Sequence, residues 1–321
     1  MRAIYYTAHG DTEVLTAGEL PTPPIESHQV LVRVAAAGVN PIDRRLRAGE
    51  LQEYISRTFP VVPGWDFSGV IVAVGEEVEG WKVGDEVVGL AFAWSVQHGT
   101  YAEFVPVDAT AIAKKPPGLS FSDGAALPLV SLTAWQSLAE YGELREGHSV
   151  FIQAGAGGIG SVAIPMAKHL GCRVYTTCSA GNRDYVKALG ADVVIDYNIA
   201  PYVDALREHE PNGVNLVLET LYGDDISLNA IGLAKNGGAV VFMNNEPPAV
   251  SEIDERGLRS TFLHHRADGA MLAELMAKYQ HAELPVPPVE IMPLADAREA
   301  HRRSESGRTR GKIVLQVATD L

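Results

Sequence analysis

Cysteine is nearly absent: the 321 residues include only Cys172 and Cys178. These lie on either side of one predicted strand, which argues against a disulfide between them and makes a reducing cytoplasm the simple expectation. Long apolar runs are missing too. No uninterrupted stretch is long enough to span a bilayer, and Met1-Arg-Ala-Ile-Tyr-Tyr6 begins like a strand, without a signal-peptide pattern. Basic residues are outnumbered, 26 against 40 acidic, for a formal net charge of −14. That excess argues against nucleic acid or an anionic membrane as partner. It also means that any phosphate must be held by local donors, against the field of the whole chain. No repeat or low-complexity segment is present. The length suggests two domains, and a hydrophobic content of 46% is enough for two cores.

The strongest positive feature is Ser149-Val-Phe-Ile-Gln-Ala-Gly-Ala-Gly-Gly-Ile-Gly160. A short apolar run ends in clustered glycines, and a helical pattern follows from Ser161 to Leu170. In such a turn Gly155 permits the tight bend, Gly157 lets backbone approach a pyrophosphate, and Gly160 lets the helix pack closely on the strand. The helix N-terminus offers free N–H groups and partial positive charge to the phosphates. Ala156, Gly157, Gly158 and Ile159 are the expected contacts.

Residues 1 to about 120 read as a compact, partly closed antiparallel sheet. Its strands include Gln29-Val-Leu-Val-Arg-Val-Ala35 and Gly69-Val-Ile-Val-Ala-Val-Gly75, with turn signals such as Lys82-Val-Gly-Asp85. Ser120–Ala139 looks helical. From 149 to about 243 strands and helices alternate, with strands at Val150–Ala154, Arg173–Thr177, Val193–Ile195, Leu216–Glu219 and Ala239–Met243. That alternation implies an α/β fold with a parallel sheet covered on both faces. Pro165 falls inside the first helix, where a kink is expected. The tail, with a helix at Ala267–Gln280 and strands at Val289–Met292 and Lys312–Val317, does not look like another βαβ unit and is expected to return to the first domain.

Several motifs occur in order along nearly the whole chain: Ala37-Gly-Val-Asn-Pro-Ile-Asp43, Phe59-Pro-Val-Val-Pro-Gly-Trp-Asp-Phe-Ser-Gly69, Val83-Gly-Asp-Glu-Val-Val-Gly89, Gly99-Thr-Tyr-Ala-Glu103, Leu189-Gly-Ala-Asp192 and Arg310-Gly-Lys-Ile-Val314. Together they resemble the medium-chain dehydrogenase/reductase superfamily, in its zinc-independent quinone oxidoreductase, or ζ-crystallin-like, branch. The resemblance implies a GroES-like β-rich catalytic domain (1–123 and 263–321) with a Rossmann NADP-binding domain (124–262) inserted. It further implies a site in the interdomain cleft, and NAD(P)H-dependent reduction of quinones or activated alkenes. Metal-binding relatives place a Cys where this chain has Asn40 and a His-Glu pair where it has Trp65-Asp66. Asn40 and Trp65 cannot serve zinc, and His98, His264 and His265 lack ligand spacing, so no metal is expected.

NAD-type sites carry an acid about 20 residues beyond the loop. Here the second strand ends in Thr176-Thr-Cys-Ser179 and Ala180-Gly-Asn-Arg183 follows. Hydroxyl and guanidinium donors suit a 2′-phosphate, so Ser179 and Arg183 point to NADPH; a solvated Arg183 in a helix's first turn is the plainer reading. The resemblance adds Tyr197, Arg310 and Lys312 beside the cofactor, though Tyr197 could also simply cap its strand, and Val130 and Thr133 near the nicotinamide. Asn244, after the last Rossmann strand, is either a neighbour of the nicotinamide ring or, more ordinarily, a turn residue. Asn40 is either a donor to a substrate oxygen or a turn residue before Pro41. Asp43 reads as a hydrogen-bond acceptor or helix cap. Tyr54 and Trp94, ahead of Trp65 and Phe92, could line a flat pocket for a planar quinone or enone, or simply belong to a core. The resemblance implies a homodimer formed through the Rossmann sheet edge, with Ala239–Asn245 and the residues after it as candidates. The alternative to an enzyme is a ζ-crystallin-like NADPH-binding structural or regulatory protein with little turnover.

Overall fold

The computed structural model describes residues 1–321. The chain divides into two compact units: Met1–Leu132, Arg266–Ala282 and Val286–Leu321 in the first, Thr133–His265 and Glu283–Pro285 in the second. The first junction lies later than the 123/124 boundary read from the sequence. The reason is packing: Ala125 and Ala126 are buried against Ala36 and Val314 of the first unit.

The first unit is built on a seven-stranded sheet. Its order is Val289–Pro293, Lys312–Gln316, Gln29–Val39, Asp66–Val74, Glu86–Leu90 and Ile112–Lys114, with Phe104–Asp108 also paired to Gln29–Val39. Pairings among strands of the first 120 residues are antiparallel in this sheet. The C-terminal segment adds a parallel pair, Val289–Pro293 beside Lys312–Gln316, which strand patterning alone does not reveal. The central strand Gln29–Val39 alternates buried and half-buried at its start and is buried throughout from Val34, where both of its faces are covered. Gly38 is needed there, since a Cβ would stand 2.4 Å from the carbonyl oxygen of Ala125.

The second unit holds six parallel strands in the order Val193–Asp196, Arg173–Cys178, Ser149–Ile152, Val214–Glu219, Ala234–Phe242 and Arg259–Phe262. Numbered by sequence this is 3-2-1-4-5-6, the doubly wound Rossmann order. Phe151, Tyr175, Leu206, Val217, Ile231 and Phe242 share its core. The helix Gly158–His169 contains Pro165 and runs on through it. Two corrections follow. Arg259–Phe262 is a sixth strand that its sequence, Arg-Ser-Thr-Phe, does not announce. Because it pairs with Ala234–Phe242, the stretch Ala239–Phe242 is flanked on both sides and is not the sheet edge; Arg259–Phe262 is.

Cys172 and Cys178 are both buried free thiols. No helix is long and apolar enough to cross a membrane.

Candidate functional site

The fully buried strand Ser149–Ile152 runs into the glycine turn. The residue in the left-handed region is Ala154 (φ 51°), not Gly155. Ala154 N–H donates to Thr177 Oγ1 (3.1 Å) and Gly155 N–H to Thr177 O (2.9 Å), which ties the turn to the next strand. Gly155 and Gly160 are required by packing. A Cβ on Gly155 would meet Thr176 Oγ1 at 2.2 Å, and one on Gly160 would meet Gly155 Cα at 2.5 Å. Gly157 differs: a Cβ there would meet only Ala154 O, at 3.3 Å. It is the helix N-cap and offers no side-chain cap. The first intrahelical bond runs from Ser161 N–H to Gly157 O (2.9 Å), so the amides of Gly158, Ile159 and Gly160 precede the helical ladder without partners in it. Gly157, Gly158 and Ile159 are half-exposed and Ala156 is buried. Open amides at a bare helix N-terminus fit a pyrophosphate.

Beyond the second strand, Ser179 is half-exposed and its Oγ accepts from Asn182 Nδ2 (3.4 Å). Arg183 opens the helix Arg183–Ala188. It is half-exposed, and its guanidinium makes no hydrogen bond or ion pair within the chain. Tyr197 is 55% exposed. The nearest acid on the neighbouring strand, Asp196, pairs in register with Cys178 but accepts from Asn198 N and Nδ2, each at 3.0 Å. A free cation with a hydroxyl near it, and an acid already engaged, fit a 2′-phosphate.

Val130 and Thr133 lie three residues apart on the helix Pro128–Trp135 and are both buried; Thr133 Oγ1 has no hydrogen-bond partner. Asn244 is half-buried and donates its backbone N–H to the carboxyl of Glu219. Glu219 itself went unnoticed in the sequence. It is fully buried at the end of Val214–Glu219, also accepts from Asn245 Nδ2 (3.1 Å), and burial pushes its pKa up to about 7. Its only sequence signal is an acid closing an apolar strand.

The first unit carries a second polar centre, set by sheet register. Ile313 pairs with Val39 and Gly38 with Asp66. Lys312 therefore comes opposite Asn40, and Asp66 stands on the same face two residues along. Lys312 Nζ donates to Val39 O (3.1 Å), Asn40 Oδ1 (2.5 Å) and Asp66 Oδ2 (3.3 Å). Asn40 Nδ2 donates to Asp66 Oδ2 (2.8 Å), and Leu129 N–H to Asp66 Oδ1 (2.7 Å). Lys312, Asn40 and Asp66 are 3%, 1% and 0% exposed. Asn40 is also the N-cap of Pro41–Ala48, and Asp43 Oδ2 reaches back to accept from its N–H (2.9 Å) and from Tyr101 OH (3.0 Å). Burial pushes the Asp43 carboxyl up to about 7, and its Oδ1 meets no donor. The ammonium assigned to the cofactor by resemblance thus has all three of its protons engaged inside the first unit, and the Asn40 amide faces Asp66 and Lys312.

Trp65, Phe92 and Trp94 form a ladder of edge-on rings, each pair 5.0 Å apart, running from buried Trp65 to exposed Trp94. Ser56 N–H donates to Trp94 O (3.0 Å), which brings the segment bearing exposed Tyr54 beside that ladder. Arg310 lies on the surface before the last strand.

Two family models match the chain: "Alcohol dehydrogenase GroES-like domain" over residues 26–117 and "Zinc-binding dehydrogenase" over 189–315. The 2-methylene-furan-3-one reductase of Solanum lycopersicum is 33% identical across 98% of this chain and 79% of its own length. Among solved structures, the quinone oxidoreductase of Coxiella burnetii is 32% identical with a TM-score of 0.89, covering 99% of both chains. A mycobacterial protein solved with NADPH is 29% identical with a TM-score of 0.87, covering 98% of this chain and 100% of that one. The zinc in one family description has no matching ligands here. No group of three His, Cys, Asp or Glu side chains is placed to hold an ion. Where an ion would need anionic or imidazole donors, Asn40 is a neutral amide, Trp65 is an indole, and the oxygens of Asp66 are taken by Lys312, Asn40 and Leu129. The likeness runs through both units at once, and it carries one assignment: the chain belongs to the medium-chain dehydrogenase/reductase superfamily, as a pyridine-nucleotide oxidoreductase with quinone and enone reductases for relatives.

Proposed function

We propose that the chain is an NADPH-dependent, metal-independent reductase of quinones or of the activated C=C bond of enone- or acrylate-type substrates. The observation that carries this reading is the unpartnered Arg183 guanidinium beyond the second strand, in a unit whose glycine turn leaves its helix amides open. When bound, NADPH supplies a hydride; the chain's part is to bind, orient and exclude water. Gly157, Gly158 and Ile159 take the pyrophosphate, Ser179 and Arg183 the 2′-phosphate, and Tyr197 packs beside the adenosine. Val130, Thr133 and Asn244 flank the nicotinamide, with the unpartnered Thr133 hydroxyl as a donor. The exposed rings of Tyr54 and Trp94 suit a planar substrate. Asn40 and Asp43 act by holding the backbone before Pro41 and not by touching substrate. The relatives named as a furanone reductase and a quinone oxidoreductase support both substrate classes, and the relative solved with NADPH supports the cofactor. The free thiols of Cys172 and Cys178 suit a reducing compartment such as the cytoplasm, and the edge strand Arg259–Phe262 is available for a homodimer.

A panel of quinones, enones and acrylates, assayed with NADPH and NADH and with a chelator present, tests the reading. Turnover favouring NADPH and indifferent to the chelator is expected. NADPH binding with no oxidation across the panel would overturn it.

A further inference from the structure

The glycine turn and Arg183 lie at the carboxyl ends of the parallel strands. At the opposite, amino ends of Ser149–Ile152, Val214–Glu219, Ala234–Phe242 and Arg259–Phe262 there is a separate cavity of about 310 Å³. Arg145, His148, Asn215, Lys235 and Arg259 line it, with Glu143 as the only acid. Arg259 already has partners: Tyr141 O (2.9 Å), Gly142 O (3.4 Å) and Glu143 (3.0 Å). Glu143 is therefore neutralised by Arg259, and the remaining cations face no acid in the cavity.

Those cations are open. Arg145 donates only its Nε, to His148 Nε2 (3.1 Å), so its terminal guanidinium nitrogens remain free. Lys235 makes no hydrogen bond or ion pair within the chain. Asn215 Oδ1 accepts from both Ser149 N (3.0 Å) and Ser149 Oγ (3.3 Å), which fixes the amide and leaves Nδ2 as a donor. His148 Nε2 is the acceptor for Arg145, so the ring proton sits on Nδ1, a buried atom with no partner in the chain. Burial and the nearby charges of Arg145 and Lys235 hold this imidazole below its ordinary range. In a chain of net charge −14, a cavity that offers ammonium, guanidinium and amide donors and almost no free acceptor is matched by one ligand chemistry, a compact oxyanion.

We propose that this cavity binds a phosphate group, either inorganic phosphate or a small phosphate monoester, at a site separate from the dinucleotide. Arg145 and Lys235 carry the charge recognition and Asn215 Nδ2 fixes orientation. The site is independent of the reading of the catalytic function.

The test uses the full chain at constant ionic strength, with and without saturating NADPH. Inorganic phosphate and glycerol 2-phosphate are titrated in parallel, with chloride as control, while the melting temperature and the His148 ring resonances are followed. A saturable rise in melting temperature and a shift of the His148 signals are expected in both series, because NADPH does not compete. Glycerol 2-phosphate binding as tightly as phosphate assigns a monoester; phosphate alone assigns the free anion. Arg145→Ala and Lys235→Ala should each weaken binding about tenfold or more, in the range for a charge-assisted hydrogen bond, and leave the KM for NADPH unchanged. Glu143→Gln should not weaken it. A response matched by chloride, or one that survives the double substitution R145A/K235A, would overturn the proposal, as would loss of the whole response when NADPH saturates the protein.

Discussion

The two units each contain a polar centre, and the two are built in opposite ways. Around Lys312 every donor of the ammonium meets an acceptor, and both oxygens of Asp66 meet donors. The ammonium has no proton left for a ligand and the Asp66 carboxylate no unpaired oxygen. At the glycine turn, backbone amides stand at a helix start with no cap, and Arg183 stands beyond the next strand with no partner. Closed and buried polar groups specify a fold, whereas open donors await an anion. The same distinction separates the Lys312 centre from the cavity at Arg145 and Lys235.

The largest effect should come from opening the closed centre. Lys312→Met leaves the Asp66 carboxylate buried without its cation. Breaking a buried pair from one side costs about 3–5 kcal/mol, measurable as a lower midpoint of urea unfolding. Adding Asp66→Asn should recover much of that loss, because the uncompensated charge is gone. If Lys312→Met alone is as stable as the parent chain, the centre is not closed by charge, and the contrast with the glycine turn falls.

The glycine turn allows a finer separation. Gly160→Ala drives a Cβ into the Gly155 backbone and should cost about 1–3 kcal/mol of stability through overpacking, along with cofactor binding. Gly157→Ala meets only one carbonyl at 3.3 Å. It should fold almost normally and still bind NADPH more weakly, since its methyl intrudes where a phosphate approaches. Equal loss of stability in both variants, read by thermal unfolding without cofactor, would show that Gly157 is also a packing residue.

Arg183→Ala should weaken NADPH binding by about 1.5–3 kcal/mol, the range for hydrogen bonds to charged groups, and leave NADH nearly unaffected. Fluorescence titration with each cofactor checks this. An equal loss for both would assign Arg183 to the shared part of the dinucleotide.

These contrasts were unevenly legible in the sequence. The glycine turn is a local pattern, strand then glycines then helix, and all its residues lie within a few positions of one another. Arg183 could be picked out because the second strand's end sits a short distance downstream. The Lys312 centre joins residues 40, 66 and 312, and only strand register brings them together. Resemblance placed Lys312 beside the cofactor because sequence order alone does not say which carbonyls an amine meets. Arg259–Phe262 was missed because an edge strand that is exposed or half-buried along its length carries no apolar run. Glu219 was missed because an acid at a strand's end looks like a surface residue until the neighbouring loop closes over it.

The smallest effect is a slope with pH, and it separates Asp43 from its surroundings. Asp43 and Glu219 are both pushed up to about 7 by burial, from ordinary values of 3.8 and 4.5. Between those limits the folded chain keeps protons that the unfolded chain has lost. Stability therefore falls as pH rises, by at most about 1.4 kcal/mol per pH unit for each carboxyl. His265 and His301 work the other way. Burial and His264 push His265 down to about 4, and burial and Arg47 push His301 down to about 3, so below 6.5 the unfolded chain binds the extra protons and their contribution to stability rises with pH. Between about pH 4.5 and 6.5 the two carboxyls and the two histidines nearly cancel, and an almost flat profile is expected. Asp43→Asn keeps an acceptor for Asn40 N–H and Tyr101 OH while removing the titration. In that variant His265 and His301 outweigh Glu219, and urea unfolding repeated across this window should show stability rising with pH. An unchanged slope would mean that Asn40, Tyr101 and Lys312 hold Asp43 ionised in the folded chain, and that the closed centre extends one residue further than its hydrogen bonds to Lys312.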